Sequence, residues 1–151
     1  MPPPTSISPL LSRFAGLKIA VIGDVILDHH VFGRVERISQ EAPIPVLLVE
    51  SERLALGGAA NVAANIAALG AKAVLVGLVG DDPAASQLVG LIQADYPNIE
   101  PRLLTTRGRP TITKTRYLGG QHQLIRVDRE HAVPASAFED ALIEEIEDAL
   151  T

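Results

Sequence analysis

Three short stretches carry residue types and spacings that could do chemistry. In Gly57-Gly58-Ala59-Ala60-Asn61-Val62-Ala63-Ala64-Asn65, paired glycines precede an alanine-rich run with two side-chain amides four positions apart. Glycines let a ligand approach the backbone closely, and the free N–H groups of a helix start donate to hydroxyls or anions. Asn61 and Asn65 fall on one helical face. The same residues would equally serve as a tight turn whose asparagines cap or bridge to a neighbouring loop. In Gly23-Asp24-Val25-Ile26-Leu27-Asp28, a carboxylate follows an apolar run. Ligands of open α/β sheets bind beyond the carboxyl ends of strands, so Asp28 is a candidate acceptor for sugar hydroxyls. Asp24 or Asp28 capping the turn is the plainer alternative. Finally, alternation along Thr111-Ile112-Thr113-Lys114-Thr115-Arg116 sends Lys114 and Arg116 to one face, where two cations can converge on a phosphate. A solvated strand face accounts for the same pattern.

Other chemistries are excluded by what the chain lacks. No Lys follows a Gly, so there is no Walker A loop, and neither H-E-x-x-H nor G-x-S-x-G occurs. His29-His30 could line a site, but no partner at metal-ligand spacing accompanies the pair, and no metal site is expected. There is no cysteine, which excludes disulfides and thiolate ligands and fits a reducing cytoplasm. A net charge of -5 with scattered Lys and Arg argues against nucleic acid. No apolar stretch reaches the roughly 18–20 residues of a membrane helix, so no membrane partner is expected.

The elements that must position these residues follow a βαβ rhythm. Lys18-Ile19-Ala20-Val21-Ile22 reads as a buried strand, Ala59 to Leu69 as a helix closed by Gly70, and Val74 to Val79 as a second strand. Asp82-Pro83 caps a helix with Leu88, Leu91 and Ile92 inward. From Val31 to Glu50 the pattern is broken by Pro43 and Pro45, as expected for a flap or a separate small sheet. Gly119-Gly120 signals a hairpin between Thr111–Leu118 and Gln121–Asp128, and Ser136 with Glu139 forms a capping box for a last helix with Phe138, Leu142 and Ile146 inward. Residues 1–16 read as a flexible lead-in without signal-peptide character. Only about three central strands are recognisable, few for a doubly wound domain, so the chain reads as a fragment or as one completed by a partner.

Taken in order, VIGDVILD (21–28), RVERISQEAPIPVLLVE (34–50), LGGAANVAANIAALGAKAVLVGLVGDD (56–82), PTITKTRYL (110–118) and QLIRVDRE (123–130) resemble the ribokinase-like (PfkB) carbohydrate kinases. The lid segment and the TITKTR hairpin resemble the D-glycero-β-D-manno-heptose-7-phosphate kinase branch, although Gln40 stands where that branch usually has Pro. The resemblance implies an α/β fold: a mainly parallel sheet flanked by helices, with a small β lid at about residues 29–56 that also serves a homodimer. Residues 17–151 would be the N-terminal part of that domain. It further implies a sugar phosphate as substrate, with Asp28, Gly57, Gly58 and Asn61 on its hydroxyls and Lys114 and Arg116 near its 7-phosphate. Arg126 and Asp128 would brace the hairpin. The family's catalytic Asp lies in a G-A-G-D motif, absent from these 151 residues, so no catalytic residue is assigned. ATP and Mg²⁺ would serve the intact enzyme, and neither is expected to bind well to this chain alone. Another sugar or nucleoside kinase of the superfamily, and a non-catalytic binding or dimerisation module, remain open.

Overall fold

The computed structural model describes residues 11–131 and 138–150. The chain runs β1 (Lys18–Ile22), β2 (Val25–Ile38), β3 (Pro45–Gly57), α1 (Gly58–Ala68), β4 (Lys72–Gly80), α2 (Pro83–Asp95), β5 (Ile99–Thr106), β6 (Ile112–Gly119), β7 (His122–Arg129) and α3 (Glu139–Leu150). Two sheets result: an all-parallel one ordered β1-β4-β5, and a mixed one ordered β3-β2-β6-β7.

The parallel sheet forms because β4 is apolar without interruption. Its Val74, Leu75 and Val76 are 0% exposed, as a strand covered on both faces requires. Alanines bring α1 close to one face: Ala60, Ala63 and Ala64 pack with Leu75 and Val79, joined by Leu88 and Ile92 of α2. On the other face Ala149 of α3, with Leu142 and Ile146 beside it, covers Val74 and Val76. Each buried aliphatic side chain contributes about 1.5–3 kcal/mol. Helices therefore flank the parallel sheet on both sides. Ser136 of the expected capping box lies outside the described residues. Of the lead-in, residues 11–16 are described and form turns, with Phe14 N–H donating to Leu11 O and Leu17 N–H to Phe14 O.

The second sheet differs from expectation in one respect that bears on the site. The sequence places Asp28 beyond the carboxyl end of the first strand, at a turn, yet Val25–Asp28 begins a 14-residue strand. The reason is two-sidedness: Val25, Leu27 and Val31 are buried on one face, while Ile26, Asp28 and His30 occupy the other. Irregularities in β2–β3 pairing at Phe32/Gly33 and Val35/Arg37 carry the strand past the region that reads as broken. β5 also went unread, because Pro101 interrupts its pattern; it is tolerated on an edge strand. The hairpin turn falls one residue later than expected, at Gly120-Gln121, since Gly119 pairs with His122.

The two sheets are latched by one half-buried carboxylate. Asp82 caps α2 by accepting from Ala85 N–H at 3.0 Å, and it also accepts from Thr111 N–H at 2.8 Å and Thr111 Oγ1 at 2.7 Å. Thr111 Oγ1 in turn accepts from Gly80 N–H at 2.9 Å. The start of β6 is thereby fixed to the end of β4. Burial alone would raise the Asp82 carboxyl, but hydrogen bonds from Thr111 and Ala85 outweigh it and hold the group below its ordinary range.

Candidate functional site

The site grows from the register of β2 with its two neighbours. Asp28 pairs with Ala55 on β3 and Lys114 on β6; one pleat further, His30 pairs with Arg53 and Arg116. Cross-strand partners share a face, so Asp28, His30, Arg53, Lys114 and Arg116 line one side of the mixed sheet. Gly57, two pleats from Arg53, lies on that side too.

Asp28 is held from two directions. Its Oδ1 accepts from Arg116 Nη1 at 2.5 Å, a charge-assisted bond between side chains that are 20% and 23% exposed. Its Oδ2 faces Gly57, where a Cβ would stand only 2.7 Å away. Glycine is therefore required by close approach of a carboxylate. At Gly58, φ is +56° and a Cβ would meet Asp24 O at 2.3 Å, so this position also demands glycine. Ala59 N–H donates to Asp24 O at 2.8 Å, tying the start of α1 to the β1–β2 connection. Gly57, the residue preceding the helix, supplies no side-chain cap.

The structure thus brings Asp28, Gly57 and Arg116 into contact, with Gly58 beside them. Asn61 sits on the first turn of α1. Its backbone O accepts from Asn65 Nδ2 at 2.8 Å, and no hydrogen bond joins it to Asp28 among the described residues. The two amides do share a face, as their spacing implies.

Lys114 and Arg116 share a face, but their charges are not both available. Lys114 Nζ donates to Asp128 Oδ2 at 3.1 Å and Glu130 Oε2 at 3.2 Å, and these bonds raise its pKa. Asp128 also accepts from Arg126 at 2.8 Å and 3.0 Å, which, with Lys114, holds its carboxyl below the usual range. Arg126 and Asp128 accordingly brace the hairpin.

Two residues went unread or half-read. His30 is held below its ordinary pKa by burial first, then by Arg116 and Arg53, and its Nδ1 is a buried atom with no hydrogen-bond partner among the described residues. Arg53 was missed entirely. The signal was present in alternation, since Arg53, Ala55 and Gly57 recur every second residue on the glycine face of β3.

The opposite face of the same sheet borders a separate cleft of about 560 Å³, lined by His29, Glu52, Asp82, Gln87, Thr113 and Arg129 among others. His29 Nε2 lies 2.6 Å from Glu52 Oε2 there.

A parallel sheet flanked by helices on both faces, with a second, mixed sheet latched to it through Asp82 and Thr111, makes an α/β fold shared with solved sugar kinases. The chain belongs to the pfkB family of carbohydrate kinases, whose sequence profile matches residues 17–150. It is 51% identical over 135 residues to the bifunctional protein HldE of Caulobacter vibrioides, covering 85% of this chain and 28% of that protein. With the bifunctional protein HldE of Azorhizobium caulinodans the identity is 53% over 126 residues, 83% of this chain and 26% of the relative. The chain thus spans about a quarter of the length of these relatives. Among solved structures, phosphofructokinase-2 from Escherichia coli in complex with substrates and products superposes with a TM-score of 0.66 at 19% identity, over 87% of this chain and 40% of that one. Arabidopsis thaliana ribokinase complexed with ribose and ATP gives 0.59 at 18%, over 74% and 35%. These two likenesses establish the fold.

Among the described residues no three His, Asp or Glu side chains are grouped to hold a metal ion. No helix among them is long and apolar enough to cross a membrane.

Proposed function

We propose that this chain supplies the sugar-binding part of an ATP-dependent kinase that phosphorylates the anomeric hydroxyl of D-glycero-β-D-manno-heptose 7-phosphate, on the route to ADP-heptose and the lipopolysaccharide core. The observation that carries the reading is the Asp28–Gly57 contact. One carboxylate oxygen is fixed by Arg116 and the other stands against Gly57 with no hydrogen bond among the described residues, which suits acceptance of a hydroxyl from a ligand. Resemblance of the RISQEAPIPV and TITKTR…QLIRVD segments to the heptose branch supports the substrate.

The chain's own residues orient and bind in this reading. Asp28 accepts from a sugar hydroxyl, Gly57 and Gly58 let the β3–α1 junction close on Asp28 and Asp24 so that its backbone borders the sugar, and Asn61 offers an amide from the first turn of α1. Phosphoryl transfer depends on an in-line nucleophile and on neutralising the moving group. The catalytic Asp, ATP and Mg²⁺ belong to segments outside these 151 residues, so the chain alone is inactive. A cytoplasmic homodimer formed through the lid completes the proposal. Exposed Val35, Ile38, Ile44, Leu48 and Val49 on β2, β3 and the turn between them support that contact.

Thermal shift of the chain with heptose 7-phosphate, ribose and adenosine tests the substrate. The sugar phosphate is expected to stabilise most; a larger shift with ribose or adenosine would assign another sugar or nucleoside kinase. ATP-dependent phosphorylation of heptose 7-phosphate by the purified chain would overturn the inactivity.

A further inference from the structure

We infer that Arg53, His30 and Arg116 form an anion subsite that takes the phosphate of the substrate, with Lys114 outside it. The proposal rests on the sugar-kinase reading for the identity of the ligand, but not for the subsite itself.

Register places the three side chains in one transverse row. His30 is paired with Arg53 on its antiparallel neighbour and with Arg116 on its parallel neighbour. Strands are spaced by roughly 4.8 Å, so the two guanidinium-bearing residues start about 10 Å apart with the imidazole between them. Long flexible arms on either side of a ring suit convergence on one tetrahedral anion. The row lies one pleat, about 7 Å, from Asp28, with Gly57 beyond it. That separation matches a phosphate at the far end of a sugar whose near hydroxyls meet Asp28.

The distribution of charge singles out the same row. On this face Lys114 is held by Asp128 and Glu130, and Arg126 is held by Asp128. Glu52, the residue before Arg53, turns to the opposite face and meets His29. Arg53 has neither a hydrogen bond nor an ion pair among the described residues. Arg116 donates through Nη1 to Asp28 and to Lys114 O, leaving its remaining N–H groups for a ligand. Of the three, only Arg116 bonds a carboxylate, Asp28, while Asp128 on the same face is taken by Lys114 and by Arg126, which pairs with Arg116 on β7. Two guanidinium groups flanking an imidazole leave this row with excess positive potential, which a bound anion would neutralise.

His30 adds a second, independent sign. Its ring is parallel to that of Phe32, with centroids 6.1 Å apart at 14°, which fixes its plane. Its Nδ1 is buried and unpartnered, and no hydrogen bond to Nε2 is made among the described residues. The covered Nδ1 is costly to leave unpaired, and Nε2, which is not among the buried unpartnered atoms, is the ring nitrogen a ligand can reach.

The test is a titration of the 151-residue chain with inorganic phosphate, followed by the imidazole NMR resonances of His30, and in parallel with heptose 7-phosphate. The His30 signals are expected to shift saturably while those of His122 do not. Arg53→Ala, a surface change that leaves packing intact, is expected to weaken phosphate about tenfold, the loss of one charge-assisted contact. Arg53→Lys should recover part of it. A His30 signal unmoved by phosphate, an Arg53→Ala chain that binds as before, or a larger loss from Lys114→Ala than from Arg53→Ala would each overturn the subsite. Phosphate binding without any response to heptose 7-phosphate keeps the subsite and defeats the sugar reading. Heptose 7-phosphate binding that ignores Arg53→Ala defeats the subsite and keeps the sugar reading.

Discussion

The Asp28 carboxylate fills the space that a side chain at residue 57 would need: a Cβ built on Gly57 stands 2.7 Å from Oδ2, 3.0 Å from Cγ and 3.1 Å from Ile26 Cβ. Arg116 already closes the other side of the carboxylate at 2.5 Å, so Gly57→Ala is expected to fold only by turning Asp28 out of that bond. Overpacking of this kind costs about 1–3 kcal/mol. Urea unfolding should show that loss, and calorimetry should show sugar-phosphate affinity reduced more than tenfold. Unchanged affinity would mean that Asp28 does not touch the ligand.

Asp82 does three jobs with one carboxylate, capping α2 and accepting twice from Thr111. Asp82→Ala removes the cap and leaves the Thr111 N–H without its acceptor, a loss of about 2–3 kcal/mol. Thr111→Val, which keeps the Asp82 cap, should cost less. Both are read from the midpoint of urea unfolding. Equal effects would show that stranding the Gly80 N–H, which loses its Thr111 Oγ1 acceptor, costs as much as the lost cap.

Glu100 contributes to acid stability: it accepts from Lys72 at 2.7 Å and Arg102 at 2.9 Å, and these bonds lower its pKa to about 2 from 4.5. A carboxyl depressed in the folded state stabilises fully above its unfolded pKa and loses that contribution as pH falls through the folded one. The contribution of Glu100 should therefore be complete above pH 4.5 and fade toward pH 2. Glu100→Gln should be less stable than the natural chain at pH 6 and converge with it near pH 2. A constant difference across that window would remove Glu100 from the acid response.

Much of this molecule is legible from residue types. The uninterrupted apolar run of β4, the alanines of α1 and the Asp82-Pro83 start of α2 announce themselves, because burial on both faces or a capped helix tolerates few alternatives. β2 hides because its second face carries Asp28 and His30 and its first carries His29 between Leu27 and Val31, polar groups that blur the alternation of a strand. β5 hides behind Pro101. Within the site, Gly57, Gly58 and Asp28 could be named from sequence, whereas Arg53 could not. Its importance comes from the β2–β3 register, which is set by a turn and two irregularities far along the strands. The pairing of Lys114 with Asp128 and Glu130 was likewise invisible until β7 was placed.

Calorimetric titration of the chain with D-glycero-β-D-manno-heptose 7-phosphate, compared between the natural sequence and Asp28→Ala, bears on the sugar-binding face as a whole. The expected result is saturable one-site binding that falls at least tenfold in Asp28→Ala, in keeping with loss of a charged hydrogen-bond acceptor. No binding by the natural chain, or equal affinity in the variant, would contradict the placement of the sugar against Asp28 and Gly57.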